Sequence, residues 1–303
     1  MSRLKLTGLV AATHTPFHAD GSLNLGMVER QAEHLTRDGV STVFIGGSTG
    51  ESHSLNVQER QQLTEQWMQV TRGTDMKVVA HVGSNCLVDA ASLAQHAQQA
   101  GAVAVAALSP SYFKPRTVET LVACARQIAS AAPQTPFYFY DIPVLTQVSL
   151  PMSEFLEMGR DSIPNLAGLK FTNPDLMSFQ LCLRAGGGDF DIPWGCDEFL
   201  LAAIAMGATG AVGSTYNFAA PIYHRAWKSF EGGNLVAARE EQFRAVRMIQ
   251  AIVKYGFIGA TKAVMKMLGV DVGPARLPNV TLSEDQFASL RNELEKMGFF
   301  DWL

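Results

Sequence analysis

A lysine that closes an apolar run is the residue in this chain whose type and place most invite chemistry. Lys170 ends Leu166-Ala167-Gly168-Leu169-Lys170 and precedes Phe171. Among apolar neighbours the ammonium form is disfavoured, so the amine becomes neutral and nucleophilic near neutral pH. A neutral amine adds to a ketone to give an imine, and the protonated imine draws electrons out of an adjacent C–C bond. The plainer reading is a lysine that snorkels from a strand end to solvent. A phenol is the second candidate. The preceding apolar run closes on Phe137-Tyr138-Phe139-Tyr140, and a phenol there can relay a proton at imine formation or at an aldol hydroxyl. Tyr138 and Tyr140 share strand parity, so spacing leaves both open. It also leaves open a core aromatic whose hydroxyl is simply bonded.

Gly46-Gly47-Ser48-Thr49-Gly50-Glu51 comes directly after another apolar run. Adjacent glycines let backbone N–H groups turn toward one anion, and Ser48 and Thr49 add hydroxyl donors, so a carboxylate fits such a nest. The segment lacks the GK[ST] ending of a nucleotide-phosphate loop. A tight strand-to-helix turn explains the same glycines. The segment also reads as G-x-S-x-G, the nucleophile elbow of serine hydrolases, with Asp141 or Asp197 and His224 as formal partners. Against that reading, Ser48 comes after only the second apolar run, with no earlier oxyanion-hole segment. The adjacent Asp197 and Glu198 can accept hydrogen bonds from a polyol, or can serve as a helix cap and an acidic first turn. His14 and His81 lie near strand ends without metal-ligand spacing and read as ordinary site-lining or core histidines.

These residues need a scaffold that gathers strand ends. Eight apolar runs are legible: Gly8–Thr13, Thr42–Ile45, Lys77–Val82, Val103–Leu108, Pro136–Tyr140, Leu166–Lys170, Phe190–Trp194 and Gly210–Gly213. Helical patterns come after them, among them Val57–Thr71, Val88–Ala100, Val118–Ala131, Ser153–Gly159, Leu176–Ala185 and Glu198–Met206. Strands apolar on both faces and alternating with helices predict a parallel sheet covered by helices. Eight such units predict an α/β fold of the closed (β/α)8, or TIM, barrel type, which needs ~250 residues and places its site at the C-terminal strand ends. The 303 residues accommodate a barrel over 1–230 and a helical appendage over 231–303. In the appendage Leu235–Tyr255, Ile258–Leu268 and Ser283–Met297 read as helix. The residues at and just beyond the ends of the runs make a polar ring: Thr13, the Gly46–Glu51 turn, Ser109-Pro110, Tyr140, Lys170, Gly195-Cys196-Asp197-Glu198 and Gly213-Ser214-Thr215.

Composition excludes other classes. Apolar residues make up 47% and charged residues 17%, with a net charge of −4. No basic stripe for nucleic acid or polybasic patch for a membrane surface is present. No apolar run reaches the ~18 residues of a membrane span. The N-terminus lacks a signal-peptide core, and Cys86, Cys124, Cys182 and Cys196 form no CxxC pair. A cytoplasmic protein with reduced thiols is expected.

Taken together, Gly46-Gly47-Ser48-Thr49-Gly50-Glu51, Tyr140-Asp141-Ile142-Pro143 and Gly168-Leu169-Lys170 resemble the signatures of the N-acetylneuraminate lyase/dihydrodipicolinate synthase family of Schiff-base barrels. The likeness runs from Gly8-Leu9-Val10 to Arg276-Leu277-Pro278 and selects Tyr140 over Tyr138. The lyase branch is the nearer. Gly213-Ser214-Thr215-Tyr216-Asn217 after Met206-Gly207-Ala208-Thr209-Gly210 is similar to it, as are Ala80-His81-Val82-Gly83 and the Asp197-Glu198 pair. The synthase branch usually carries an arginine two residues after the proline of its tyrosine motif. Here Leu145 stands there and cannot make the bidentate carboxylate contact. Two positions depart from the family pattern: Asp141, often Asn in bacterial lyases, and Gln147, often Gly. Asp141 is expected to add negative charge near an anionic substrate.

The resemblance implies a class I aldolase that splits N-acetylneuraminate into N-acetylmannosamine and pyruvate. Another 2-keto-3-deoxy sugar acid, or synthase-like chemistry, is the alternative within the family. Lys170 would form the imine and Tyr140 would shuttle the proton. Ser48 and Thr49 would hold the keto-acid carboxylate, while Thr172, Gly195, Asp197, Glu198 and Ser214 would line the pocket for the polyhydroxy tail. Tyr112 would reach a neighbouring subunit's site in a homotetramer, and no metal or organic cofactor is implied. A binding or sensing protein on the same barrel is the reading from another class. The joint presence of Lys170, Tyr140 and the nest argues against it.

Overall fold

The computed structural model describes residues 4–303. Seven parallel strands form one sheet: β1 (Gly8–Ala12), β2 (Thr42–Ile45), β3 (Lys77–His81), β4 (Ala104–Leu108), β5 (Phe137–Asp141), β6 (Leu166–Phe171) and β7 (Gly210–Gly213), in the order β6-β5-β4-β3-β2-β1-β7. The helices are α1 (Met27–Arg37), α2 (Val57–Val70), α3 (Leu87–Ala100), α4 (Val118–Ala129), the single turn α5 (Pro143–Thr146), α6 (Met152–Ser162), α7 (Leu176–Arg184), α8 (Leu200–Met206), α9 (Tyr216–Glu231), α10 (Leu235–Val253), α11 (Phe257–Met267) and α12 (Glu284–Met297). None among the described residues is long and apolar enough to cross a membrane.

The strands are apolar on both faces because each separates two apolar compartments. Val10, Ala12, Phe44, Val79, Ala104, Ala106, Leu108, Tyr138 and Val212 fill the barrel interior. Their alternates, such as Leu9, Val43, Val78, Val105 and Phe139, face the helices. Many interior residues are alanine or valine, which leaves room inside for the few large side chains.

The seventh apolar run differs from expectation. Residues 190–194 form isolated bridges to Gly168, Phe171 and Ala211 rather than a strand. Pro193 has no N–H to give to a ladder. The segment still joins the two edges of the sheet. Asp191 O accepts from Leu169 N–H (3.0 Å), Pro193 O from Phe171 N–H (2.9 Å), and Trp194 O from Val212 N–H (2.7 Å). It is an irregular stave that completes the (β/α)8 ring.

Where β5 meets β6, the register slips. Phe137 pairs with Leu166, but Tyr138 pairs with Gly168, so Ala167 has no partner. Such a bulge reverses which face every later residue presents. Four residues beyond the outward-facing Leu166, Lys170 would also point outward in a regular strand. The bulge sets it opposite Tyr140 instead, facing the interior. The slip also brings the 191 segment against β6, where a Cβ on Gly168 would lie 1.7 Å from Asp191 O.

Beyond α9, Ala245, Met248, Ala251 and Ile252 of α10 and Leu290 and Leu294 of α12 are buried in the same apolar layer as the barrel helices. Gly168→Ala is expected to destabilise the protein by about 2 kcal/mol or more, the scale of overpacking against backbone that cannot yield. Denaturant unfolding measures this, and wild-type stability in the variant would mean that the stave moves freely.

Candidate active site

Lys170 is 4% exposed. Its Nζ lies 3.9 Å from the centre of the Tyr140 ring and 4.1 Å from that of Phe44. Burial pulls the amine down, the opposing influences of Asp197 and Cys196 only partly restore it, and the net value is about 7. The snorkelling alternative therefore fails: the amine ends inside the barrel among aromatic faces. Those faces also favour any cation later formed on this nitrogen.

Tyr140 shares this interior. Its ring meets Phe44 and His81 edge-on, with centroids 5.7 and 5.8 Å apart. Burial raises the phenol to about 12, against the pull of the nearby Ser48 and Thr172 hydroxyls. Ser48 Oγ is 3.4 Å from Tyr140 Oη. Tyr138 lies two residues deeper, at the other end of the barrel. Its Oη donates to Asp191 Oδ2 (2.8 Å), which also accepts Leu6 N–H (2.7 Å). It is a core tyrosine with a satisfied hydroxyl, away from Lys170.

The Gly46–Glu51 turn leads out of β2 at the same mouth. Thr49 Oγ1 is 2.7 Å from Ser214 Oγ, so the turn touches the loop after β7. His81 Nδ1 lies 2.8 Å from Gly46 O. Because a carbonyl only accepts, Nδ1 carries the proton, and Leu108 N–H donates to the bare Nε2 (3.4 Å). Burial keeps this ring neutral, well below the ordinary imidazole range. His14, also buried, is held down at about 3 by burial and Lys262. Both histidines are thus fixed neutral groups.

Asp197 does not cap a helix. The short turn Asp197–Phe199 is preceded by Cys196, with no side-chain cap. Asp197 Oδ2 instead accepts from Thr215 N–H (2.9 Å) and Thr215 Oγ1 (2.6 Å). Burial lifts its carboxyl to about 6. Glu198 is half-buried beside it, and its carbonyl accepts from Gln242 Nε2 of α10 (3.0 Å). Gly195 packs on Thr172, where a Cβ would come within 1.9 Å of Oγ1. The mouth thus gathers Ser48, Thr49, Tyr140, Lys170, Thr172, Gly195, Asp197 and Ser214. Tyr112 is apart from them, 78% exposed beside Phe113 at 86%. Asn85 Oδ1 accepts from the backbone N–H groups of Ser111 and Tyr112.

The charge expected from Asp141 is not at the mouth. Asp141 alternates with Tyr140 and pairs with the outward Phe171, so its carboxyl lies between barrel and helices. There burial raises it to about 7, and Asn173 Nδ2 is its one side-chain donor, at 3.4 Å. The hydrolase constellation also falls apart. His224 lines a cavity with Thr7, Gly8 and Thr209 at the N-terminal strand ends, opposite the mouth that holds Ser48. Gln147 takes the left-handed conformation (φ 54°) that glycine adopts without strain. Phe44, which shapes the lysine's surroundings, was not assigned a part from sequence, whereas His81 takes the site-lining place read for it. Phe44 was findable, because it alternates with Val43 and Ile45 and so faces inward.

Fold and site together define a closed parallel barrel whose mouth holds a buried inward lysine, a buried tyrosine and a glycine-rich turn that carries Ser48 and Thr49. The profile of the dihydrodipicolinate synthetase family matches residues 5–297, and the chain belongs to that family. It is 40% identical over 303 residues to N-acetylneuraminate lyase of Gallus gallus, covering 99% of this chain and 98% of the relative. The Homo sapiens N-acetylneuraminate lyase is likewise 40% identical, with 98% and 94% covered. Among solved structures, Proteus mirabilis N-acetylneuraminate lyase superposes with a TM-score of 0.94 at 38% identity, covering 97% of this chain and 99% of that one.

Lys170 offers a direct check on its surroundings. Its folded value of about 7 lies below the ordinary 10.5. Between these limits the unfolded chain binds a proton that the folded chain has lost, so wild-type stability rises with pH across that window. Lys170→Met removes this dependence. The stability of the variant relative to wild type is expected to be highest at and below pH ~7 and to fall toward pH ~10. Denaturant unfolding across pH tests this, and a difference independent of pH would show an amine charged in the folded state.

Proposed function

We propose that the chain is a Schiff-base lyase that cleaves N-acetylneuraminate to N-acetylmannosamine and pyruvate. The observation that carries the reading is Lys170: an amine lowered to about 7 inside the barrel, against the rings of Phe44 and of Tyr140, whose hydroxyl lies 3.4 Å from Ser48 of the Gly46–Glu51 turn. The N-acetylneuraminate lyases of similar sequence support the choice of substrate.

In this reading Ser48, Thr49 and the turn's backbone bind the keto-acid carboxylate, which puts C2 within reach of Lys170. The neutral amine adds to C2, water leaves, and the nitrogen becomes a cationic imine. That charge appears next to the Tyr140 ring and favours the phenolate. The Tyr140 phenol, which starts protonated at about 12, gives its proton to the departing water and, now a phenolate, accepts the proton of the C4 hydroxyl. The C3–C4 bond breaks, its electron pair passes into the imine as an enamine, and the aldehyde departs. Protonation at C3 and hydrolysis release pyruvate and restore Lys170. Asp197, Glu198, Thr172, Gly195 and Ser214 would bound the sugar tail. We take the protein to be a cytosolic homotetramer in which Tyr112 reaches a neighbouring subunit's site. The exposure of Tyr112 and Phe113 and four unpaired cysteines support that view.

Borohydride reduction in the presence of pyruvate should leave a pyruvyl adduct on Lys170, seen by mass spectrometry and missing in Lys170→Ala. No adduct on folded wild-type protein would end the Schiff-base reading. In a coupled pyruvate-release assay N-acetylneuraminate should turn over. If it is inert while a shorter 2-keto-3-deoxy sugar acid is cleaved, the substrate assignment fails and the imine stands. Tyr140→Phe should lower turnover by about 10²–10⁴-fold while pyruvate trapping persists. Wild-type turnover in that variant would rule out the proton relay.

A further inference from the structure

The Gly46–Glu51 turn is built into the C-terminal third of the chain. Glu51 is 4% exposed and sits in the left-handed region, with φ 54°. A non-glycine residue stays there only where its surroundings hold it. Its N–H donates to Ser48 O (3.0 Å), and the next N–H, of Ser52, donates to Gly47 O (3.2 Å). The backbone of Glu51 therefore sets the curvature of the turn that carries Ser48 and Thr49.

The Glu51 carboxylate runs away from the mouth. Oε1 lies 2.8 Å from Lys262 Nζ of α11, in a pair whose side chains are 0% and 2% exposed. Oε2 accepts from Arg276 N–H (2.8 Å) and Asn279 Nδ2 (3.2 Å). Lys262 Nζ also donates to Thr15 O (2.9 Å) and Pro274 O (2.7 Å), and Thr15 Oγ1 donates to Gly50 O (2.6 Å). The Arg276 guanidinium clasps Glu59, in the first turn of α2, through bonds of 2.6 and 2.9 Å. Both flanks of the nest, the segment after β1 and the helix beyond the turn, are thereby bound to residues 262–279. In so dry a place removal of one partner leaves an uncompensated charge, and the turn must shift to admit water.

We propose that the buried Glu51–Lys262 ion pair is a positioning device for the anion-binding turn. These two residues touch no substrate atom but hold Ser48 and Thr49 in the register that receives a carboxylate. The α11–loop segment is thus a working part of the site. The identity of the anion, a 2-keto-acid carboxylate, rests on the Schiff-base reading above; the tether does not.

The test uses full-length Glu51→Gln and the double variant Glu51→Gln/Lys262→Met, which removes the stranded ammonium and guards against simple misfolding. By hydrogen–deuterium exchange, amides of residues 46–52 should exchange faster in both variants while β2 and β3 keep wild-type protection. Unchanged exchange at 46–52 would overturn the tether. In borohydride trapping, the pyruvate concentration for half-maximal adduct should rise roughly tenfold or more, the cost of a small misplacement, with full adduct at saturation. The double variant should regain thermal stability without regaining that affinity, a split a purely structural pair would not produce. Wild-type half-saturation in the folded double variant would overturn the proposal. If wild-type protein takes no pyruvate, the Schiff-base reading fails, and exchange at residues 46–52 decides the tether by itself.

Discussion

In β6 one residue, Ala167, has no partner on β5, and the chemistry of the mouth depends on that irregularity. Side chains on a strand alternate between faces, so an inserted residue exchanges inside for outside from that point onward. Leu166 faces the helices, yet Lys170, an even number of residues later, faces the interior. The same slip places Leu169 and Phe171 in the outer layer, where Phe171 packs with Phe179 and Trp194. It also accompanies the close approach of Asp191 O to Gly168, by which the irregular stave closes the ring. Closure of the barrel and the inward aim of the lysine come from one local feature.

Closure matters because it keeps the interior dry. Burial is the largest influence on both groups and leaves Lys170 lowered to about 7 and Asp197 raised to about 6, even though each group opposes the shift of the other. The outcome is an amine and a carboxyl that both titrate near neutrality, a few residues from solvent. Hydrogen bonds from Thr215 moderate the carboxyl, and among the described residues no salt bridge holds the lysine, which lies against the faces of Phe44 and Tyr140. An ion pair at Lys170 would have held the proton and cost it nucleophilicity. At the far end of the barrel, the same dryness serves stability. There Asp191 is satisfied by Tyr138 and Leu6, and the residues are structural.

Much of this was legible from the chain. Apolar runs alternating with helical patterns required a parallel barrel, and the strands they marked appear within a residue or two, apart from the stave at Pro193. The polar ring at the strand ends is a real mouth, since the C-terminal ends of parallel strands in a closed barrel must converge. Other features were out of reach of spacing. Tyr138 and Tyr140 have the same parity, and only depth along the barrel separates a bonded core phenol from one beside Lys170. Asp141 looked like charge at the mouth because it adjoins Tyr140 in sequence, but adjacent residues on a strand face opposite ways. Asp197 read equally well as a cap, because a cap and a buried acceptor share one residue type.

What the sequence by itself determined was the repeat of strand and helix, the ring of polar residues after the strands, and a lysine ending an apolar run. Those are properties of local order, written in residue types and their spacing. Tertiary structure decided which way Lys170 points, how little water reaches it, and that the Gly46–Glu51 turn is anchored to Lys262, 211 residues away in the chain (262 − 51). Orientation depends on register against a neighbouring strand, and a shifted pKa depends on everything packed around the group. Both are pairwise and long-range, so no reading of one segment contains them.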